Sequence, residues 1–244
     1  MPDPQTFPAG ARDPRHALAD ADGRLVRTVD AMSPDEWRAP SLLPGWSRTH
    51  VVAHVVLNAE ALAGVLDAAA RGEQAAMYPS QERRDGDIEA LAAATPQELR
   101  DRLLASTTAF ADALAAVSDE GWRGTFDRTP GARPRPLVDV PDMRWREVEL
   151  HHLDLGLGAT PEGWPADFAA ALVGAMVARG PSTTPLRVHA TDLDRTWESA
   201  PGATTTVRGT AADLGWWLSG RRPVPGAGTG PTSDDGVLPR IEEL

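Results

Sequence analysis

The chain has 244 residues, 41% hydrophobic and 24% charged, which suffices for one large domain or for two that each bury a core. A formal net charge of −11 with no concentrated basic patch argues against nucleic acid or an anionic membrane as a partner. With no cysteine there is no disulfide, thiolate ligand or cysteine nucleophile, so any thiol chemistry needs an imported thiol.

No run approaches the roughly 18 uninterrupted apolar residues of a membrane span. The N-terminus, MPDPQTFPAG, lacks the basic start and apolar stretch of a secretion signal. A cytoplasmic enzyme is the expectation.

Residues 14–31 carry Leu18, Leu25, Val26 and Val29 at helical spacing. In SPDEW (33–37), Ser33 followed three residues later by Glu36 predicts a capped helix start. LLPGW (42–46) reads as a turn, and the segment after it as a long amphipathic helix ending at Gly72. Residues 95–117 predict another helix, with Thr95 as cap and Pro96 at the first helical position. The Pro-, Gly- and Arg-rich stretch 123–140 reads as a long connecting loop. A fourth long helix starts near Pro141 and stops at Gly156 and Gly158. Four long helices within the first 158 residues predict a four-helix bundle.

Beyond Gly158 the periodicity changes. Residues 185–193, Thr196–Ser199 and 204–209 alternate like strands, and 211–221 are helical again. The expected fold class is therefore α+β, with a bundle over 1–158 and a small α/β domain over 159–244. The tail from Pro223 to Asp235, rich in Pro, Gly and Thr, is expected to be mobile.

The chemistry concentrates in RWREVELHH (144–152). Glu147 and His151 are four apart, so on a helix they share a face and can reach one metal ion. On the long helix after GWSRT, His54 sits among Val51, Val52, Val55 and Val56. His50, one turn earlier, competes with it, since His50 and His54 also have ligand spacing. Three groups from two helices would make a His2Glu set with an open position, the arrangement of catalytic rather than structural zinc. Asp154, three residues past His151, is placed to accept a hydrogen bond from a ligand imidazole.

These segments resemble a known family. LPGWSRTHVVAH (43–54), TyrProSer at 78–80 followed by Arg84 and Ile88–Glu89, REVELHHLDLG (146–156) and WLSGR (217–221) are similar to the mycothiol-dependent maleylpyruvate isomerases, within the wider DinB-like metalloprotein group. The resemblance implies a DinB-like bundle followed by a sterol-carrier-like α/β domain. It places the metal ligands on His54, Glu147 and His151, and matches His50 to a position that is not a ligand. It also places an important arginine on Arg221, with Arg222 one place away.

The implied activity is cis–trans isomerisation by reversible addition of a thiolate to a conjugated double bond. Mycothiol would be the thiol cosubstrate, a divalent metal (zinc first) the activator, and a small electrophile the substrate. Two other readings remain: a mycothiol S-transferase, which would release the adduct, and a non-catalytic DinB-like binding protein.

Overall fold

A computed structural model describes residues 14–180, 182–224, 227–228 and 230–241. The segment read for a secretion signal lies outside them. The chain divides into two compact units, the first ending at Leu155 and the second beginning at Gly156.

The first unit carries α1 (Pro14–Asp30), α2 (Pro34–Arg38), α3 (Arg48–Ala70), α4 (Gln81–Ala92), α5 (Pro96–Ala116) and α6 (Val140–Asp154). The four long helices pack in the cyclic order α1, α6, α3, α5, each against its two neighbours. Local chemistry sets their ends. Ser33 and Glu36 form a capping box at α2, Thr95 accepts from the Glu98 N–H at the start of α5, and Pro96 follows at the first helical position. After α3 the backbone turns left-handed at Gly72 (φ +72°), a conformation glycine adopts without strain.

Three features differ from expectation. The helix α3 is not amphipathic: Thr49, Val51, Val52, Ala53, His54, Val55, Val56 and Asn58 are all buried, because α4, α5 and α6 cover it from several sides. By length and composition it is the one helix among the described residues that could cross a membrane, and it is the core helix of the bundle. Helix α4 was not foreseen. The stretch 123–140 is more ordered than a plain loop. It folds into a short antiparallel ribbon, β1 (Thr125–Phe126) with β2 (Arg135–Pro136), whose fully buried Phe126 anchors it.

In the second unit, α7 (Ala166–Arg179), also unforeseen, packs against α8 (Ala211–Leu218). The sheet runs in the order β4 (Arg195–Glu198), β3 (Leu186–Ala190), β5 (Thr205–Gly209), β6 (Thr232–Ser233). Strand β3 pairs antiparallel with β4 and parallel with β5. It buries Leu186, Val188 and Ala190 on one face, with Arg187 on the other, the period-two pattern of a half-covered sheet. The tail expected to be mobile is partly tied down: Thr232 and Ser233 pair with Arg208 and Val207, covering an edge of β5 that would otherwise stay open. Val224 is buried as well.

Candidate metal centre

Two neighbouring helices build the cluster. On α6 the four-residue spacing places Glu147 and His151 on one face, and α3 packs beside it carrying His54. Glu147 Oε2 lies 2.9 Å from His54 Nε2 and 3.3 Å from His151 Nε2. The two imidazoles meet nearly at right angles with centroids 4.6 Å apart. One potential ligand atom from each of the three residues falls within a 4.8 Å span. Both histidines are buried, whereas the Glu147 side chain is 33% exposed, so the cluster opens to solvent on the carboxylate side.

The turn before α3 fixes this geometry. The N–H of Leu42 donates to the Asp154 carbonyl (2.8 Å), and Arg48 donates to the carbonyls of Leu155 (2.7 Å) and Glu36 (3.1 Å). The bonds to Asp154 and Leu155 satisfy carbonyls at the end of α6 and couple the start of α3 to it, and the bond to Glu36 ties α2 to the same turn. Gly45, at φ +77°, supplies the left-handed residue of the turn.

Electrostatics favour a cation there. Burial alone would raise the Glu147 carboxyl, yet hydrogen bonds from His151 and His54 outweigh it and hold the group well below the usual range. Burial, with the nearby His151 charge, pushes His54 down to about 4, so its ring is neutral at neutral pH, the form that ligates metal. For His151 burial works downward, but the Asp154 and Glu147 carboxylates prevail and raise it. Asp154 Oδ2 stands 2.8 Å behind His151 Nδ1 and its side chain is wholly buried. The contact is close but bent away from straight hydrogen-bond geometry.

His50 is not part of the cluster. Its Nδ1 accepts from the Ser47 N–H (3.3 Å) and lies 2.6 Å from Ser47 Oγ, while Nε2 faces Glu89 (3.2 Å), so it acts as a cap for α3. Two residues given no site role in the sequence stand beside the triad. The Trp46 ring meets the His54 ring edge-on at 5.6 Å, and Arg84 Nη2 lies 3.2 Å from His54 Nδ1. The conjunction of TyrProSer with Arg84 was the only sequence signal for the second. Arg221 belongs to the C-terminal unit, just after α8. Its guanidinium lies over the Trp216 ring at 5.5 Å, and Nη1 donates to the Ser219 carbonyl at 3.3 Å. Arg222 is exposed, and its carbonyl accepts from Trp216 Nε1.

Together these features define an α+β protein with a His2Glu cluster in a helical bundle, a donor set suited to a divalent ion with a position to spare. The comparisons with known proteins carry this further. The mycothiol maleylpyruvate isomerase N-terminal domain matches residues 18–156, and the C-terminal domain of the same family matches residues 162–242. A crystal structure of the mycothiol-dependent maleylpyruvate isomerase aligns over 100% of both chains, at 26% identity and a TM-score of 0.86. A histidine-to-alanine mutant of the mycothiol-dependent maleylpyruvate isomerase aligns as completely, at 25% identity and the same TM-score of 0.86. YfiT from Bacillus subtilis, with a four-helix bundle, aligns over 66% of this chain and 95% of its own, at 16% identity and a TM-score of 0.49. No curated protein matches the sequence at a significant level. The chain belongs to the mycothiol maleylpyruvate isomerase family.

Proposed function

We propose that this chain isomerises a cis-configured, conjugated keto acid of the maleylpyruvate type, using mycothiol as nucleophile and a divalent ion, zinc, held by His54, Glu147 and His151. The observation that carries the reading is the His2Glu cluster within 4.8 Å in a protein with no cysteine of its own. When bound, the ion supplies Lewis acidity that lowers the pKa of a coordinated thiol, so that thiolate is available at neutral pH.

The chain's residues then have defined tasks. Neutral His54 and ionised Glu147 offer lone pairs without losing a proton first, and Asp154 orients His151. The buried histidines keep water from one side of the centre, and the exposed side of Glu147 leaves an approach for cosubstrates. In the reaction the thiolate of mycothiol adds to the cis double bond, and the electron pair moves onto the conjugated carbonyl oxygen. The former double bond rotates as a single bond, and return of the pair expels the thiolate and leaves the trans isomer. No atom is gained or lost. The negative charge on the oxygen needs a cation, and we assign that need to Arg221, whose guanidinium is suited to oxyanions and carboxylates.

The test is to incubate zinc-loaded protein with maleylpyruvate, with and without mycothiol, and to identify products by mass spectrometry. The expected result is the trans isomer with mycothiol unconsumed. A released thiol adduct would make the protein a transferase, and undiminished turnover in thiol-free buffer would overturn both thiol readings. Arg221→Ala should lose turnover while keeping its zinc, and Arg222→Ala should keep both. Wild-type rates in both variants would give the C-terminal unit another role.

A further inference from the structure

We infer that Arg84 is an anion clamp at the triad, binding a carboxylate of the electrophile beside the metal ligands; this rests on the isomerase reading. Arg84 lies in the first turn of α4 and its side chain is only 15% exposed. One edge of its guanidinium donates to Asp85 at 2.8 Å, and its carbon lies 5.7 Å from the centre of the Tyr78 ring. The other edge, through Nη2, stands 3.2 Å from His54 Nδ1.

A guanidinium has donors and no acceptor. On His54 it is Nε2 that faces Glu147, so Nε2 is the nitrogen that would give its lone pair to an ion. The ring's proton then resides on Nδ1, and a neutral imidazole has only one. Two donors would face each other across 3.2 Å, and Nη2 would have no acceptor at His54. An anionic oxygen beside the centre is the group that satisfies it, and a planar carboxylate fits the two-pronged donor edge of arginine.

The position is braced. Tyr78, the chain's single tyrosine, is buried, and its ring packs against the Arg84 guanidinium. On the neighbouring stretch of α3, the side-chain oxygen of the buried Asn58 accepts from Arg144 (3.1 Å). Arg144 is itself fully buried and donates to the Val55 carbonyl (2.8 Å). Asp85 on one edge and the buried Tyr78 ring on its face thus hold the guanidinium beside the triad before any substrate arrives.

The test uses binding rather than turnover. Zinc-loaded wild type, Arg84→Ala and Arg84→Lys are titrated calorimetrically with maleate, a non-reacting dianion, and with its neutral dimethyl ester, and zinc content is measured on each. The expected result is one zinc per chain in all three and maleate affinity at least about tenfold weaker in Arg84→Ala. Arg84→Lys should recover part of it, and ester affinity should be unchanged. Unaltered maleate affinity in Arg84→Ala, no maleate binding by wild type, loss of zinc, or equal losses for maleate and ester would each overturn the clamp. If wild type fails to isomerise maleylpyruvate yet shows the Arg84-dependent dianion binding, the isomerase reading falls and the clamp stands.

Discussion

Replacing Asp154 by alanine should weaken metal binding without touching any of the three cluster residues. Its carboxylate is fully buried and stands 2.8 Å from His151 Nδ1, on the far side of the ring from Glu147. It also contributes more than any other group to raising the basicity of His151. Carboxylates behind a ligand histidine are worth about 10- to 100-fold in metal affinity, or about 1.4 to 2.8 kcal/mol. The middle of that range is expected here, because shielding of the charge from water enlarges the effect while the bent contact reduces it. One effect opposes it: a less basic His151 holds its competing proton less tightly, which returns part of the loss at acidic pH. Asp154→Asn keeps an acceptor oxygen without the charge and should fall between alanine and wild type. Zinc dissociation constants from competition with a chromophoric chelator at neutral pH give the measurement, with thermal unfolding in excess chelator as a control for folding. Wild-type affinity in a folded Asp154→Ala protein would refute the orienting role.

Other consequences follow from the same structure. His54→Ala and His151→Ala should each drop zinc content at equilibrium far below one per chain by elemental analysis, and full occupancy in the double variant would overturn the cluster as a metal site. Burial, aided by the charges of Arg24 and Arg27, holds His152 down to about 4. The unfolded chain therefore binds this proton more readily, and stability falls as pH drops from about 6.5 to about 4, by up to about 3 kcal/mol. Chelator-treated His152→Gln protein should show a flatter acid limb in urea unfolding; an unchanged limb would contradict the shift. Two glycines within helices should respond oppositely. A Cβ at Gly215 would meet Leu172 Cδ2 at 2.9 Å, so alanine should destabilise through overpacking worth about 1–3 kcal/mol, only partly offset by helix propensity. At Gly64 nothing lies within 4 Å, and alanine should stabilise by up to about 1 kcal/mol in the same urea assay.

Legibility in the sequence tracked how local each signal was. The ends of α2 and α5 were readable because caps act over three or four residues, as with Ser33 and Glu36 or Thr95 and Pro96. Helix α4 escaped because QERRDGDIEALA is polar, contains Gly86, and buries only Ile88 and Leu91, too few points to reveal a period. Helix α7 escaped for the opposite reason: ADFAAALVGAMVAR is apolar nearly throughout, so no polar face marks the turns. The all-round burial of α3 depends on which helices surround it, a matter no window of α3 contains. At the site, the pairing of Glu147 with His151 is a four-residue fact, whereas joining His54 to them requires knowing that α3 lies against α6. Composition and spacing left His50 and His54 as rivals, and the family resemblance, not periodicity, separated them. Arg84 was out of reach of spacing because it sits on the helix that was missed.

The placement of polar groups around α6 explains how a bundle holds a cluster to the tolerance a metal needs. A helix packed only through aliphatic side chains can slide or rotate slightly at little cost, since dispersion contacts are weak individually and non-directional. Helix α6 is instead pinned by directional bonds on different sides. Toward α3, Arg144 donates to the Val55 carbonyl at 2.8 Å. Toward α1, Glu149 accepts from Arg24, with Trp145 on α6 itself donating to the same carboxylate, and His152 lies 2.7 Å from Thr28 Oγ1. Its C-terminal carbonyls take the Leu42 and Arg48 donors. A rotation that moved Glu147 or His151 by an ångström would strain several of these bonds together, each buried or partly buried and costly to leave unmade. The polar residues of α6 that do not face the cluster therefore fix the angle at which Glu147 and His151 meet His54. Pre-organising ligands in this way is what a functional centre requires of its supporting residues. It also accounts for a helix that buries Arg144, Glu149, His151, His152 and Asp154 where a bundle built for stability alone would bury leucine.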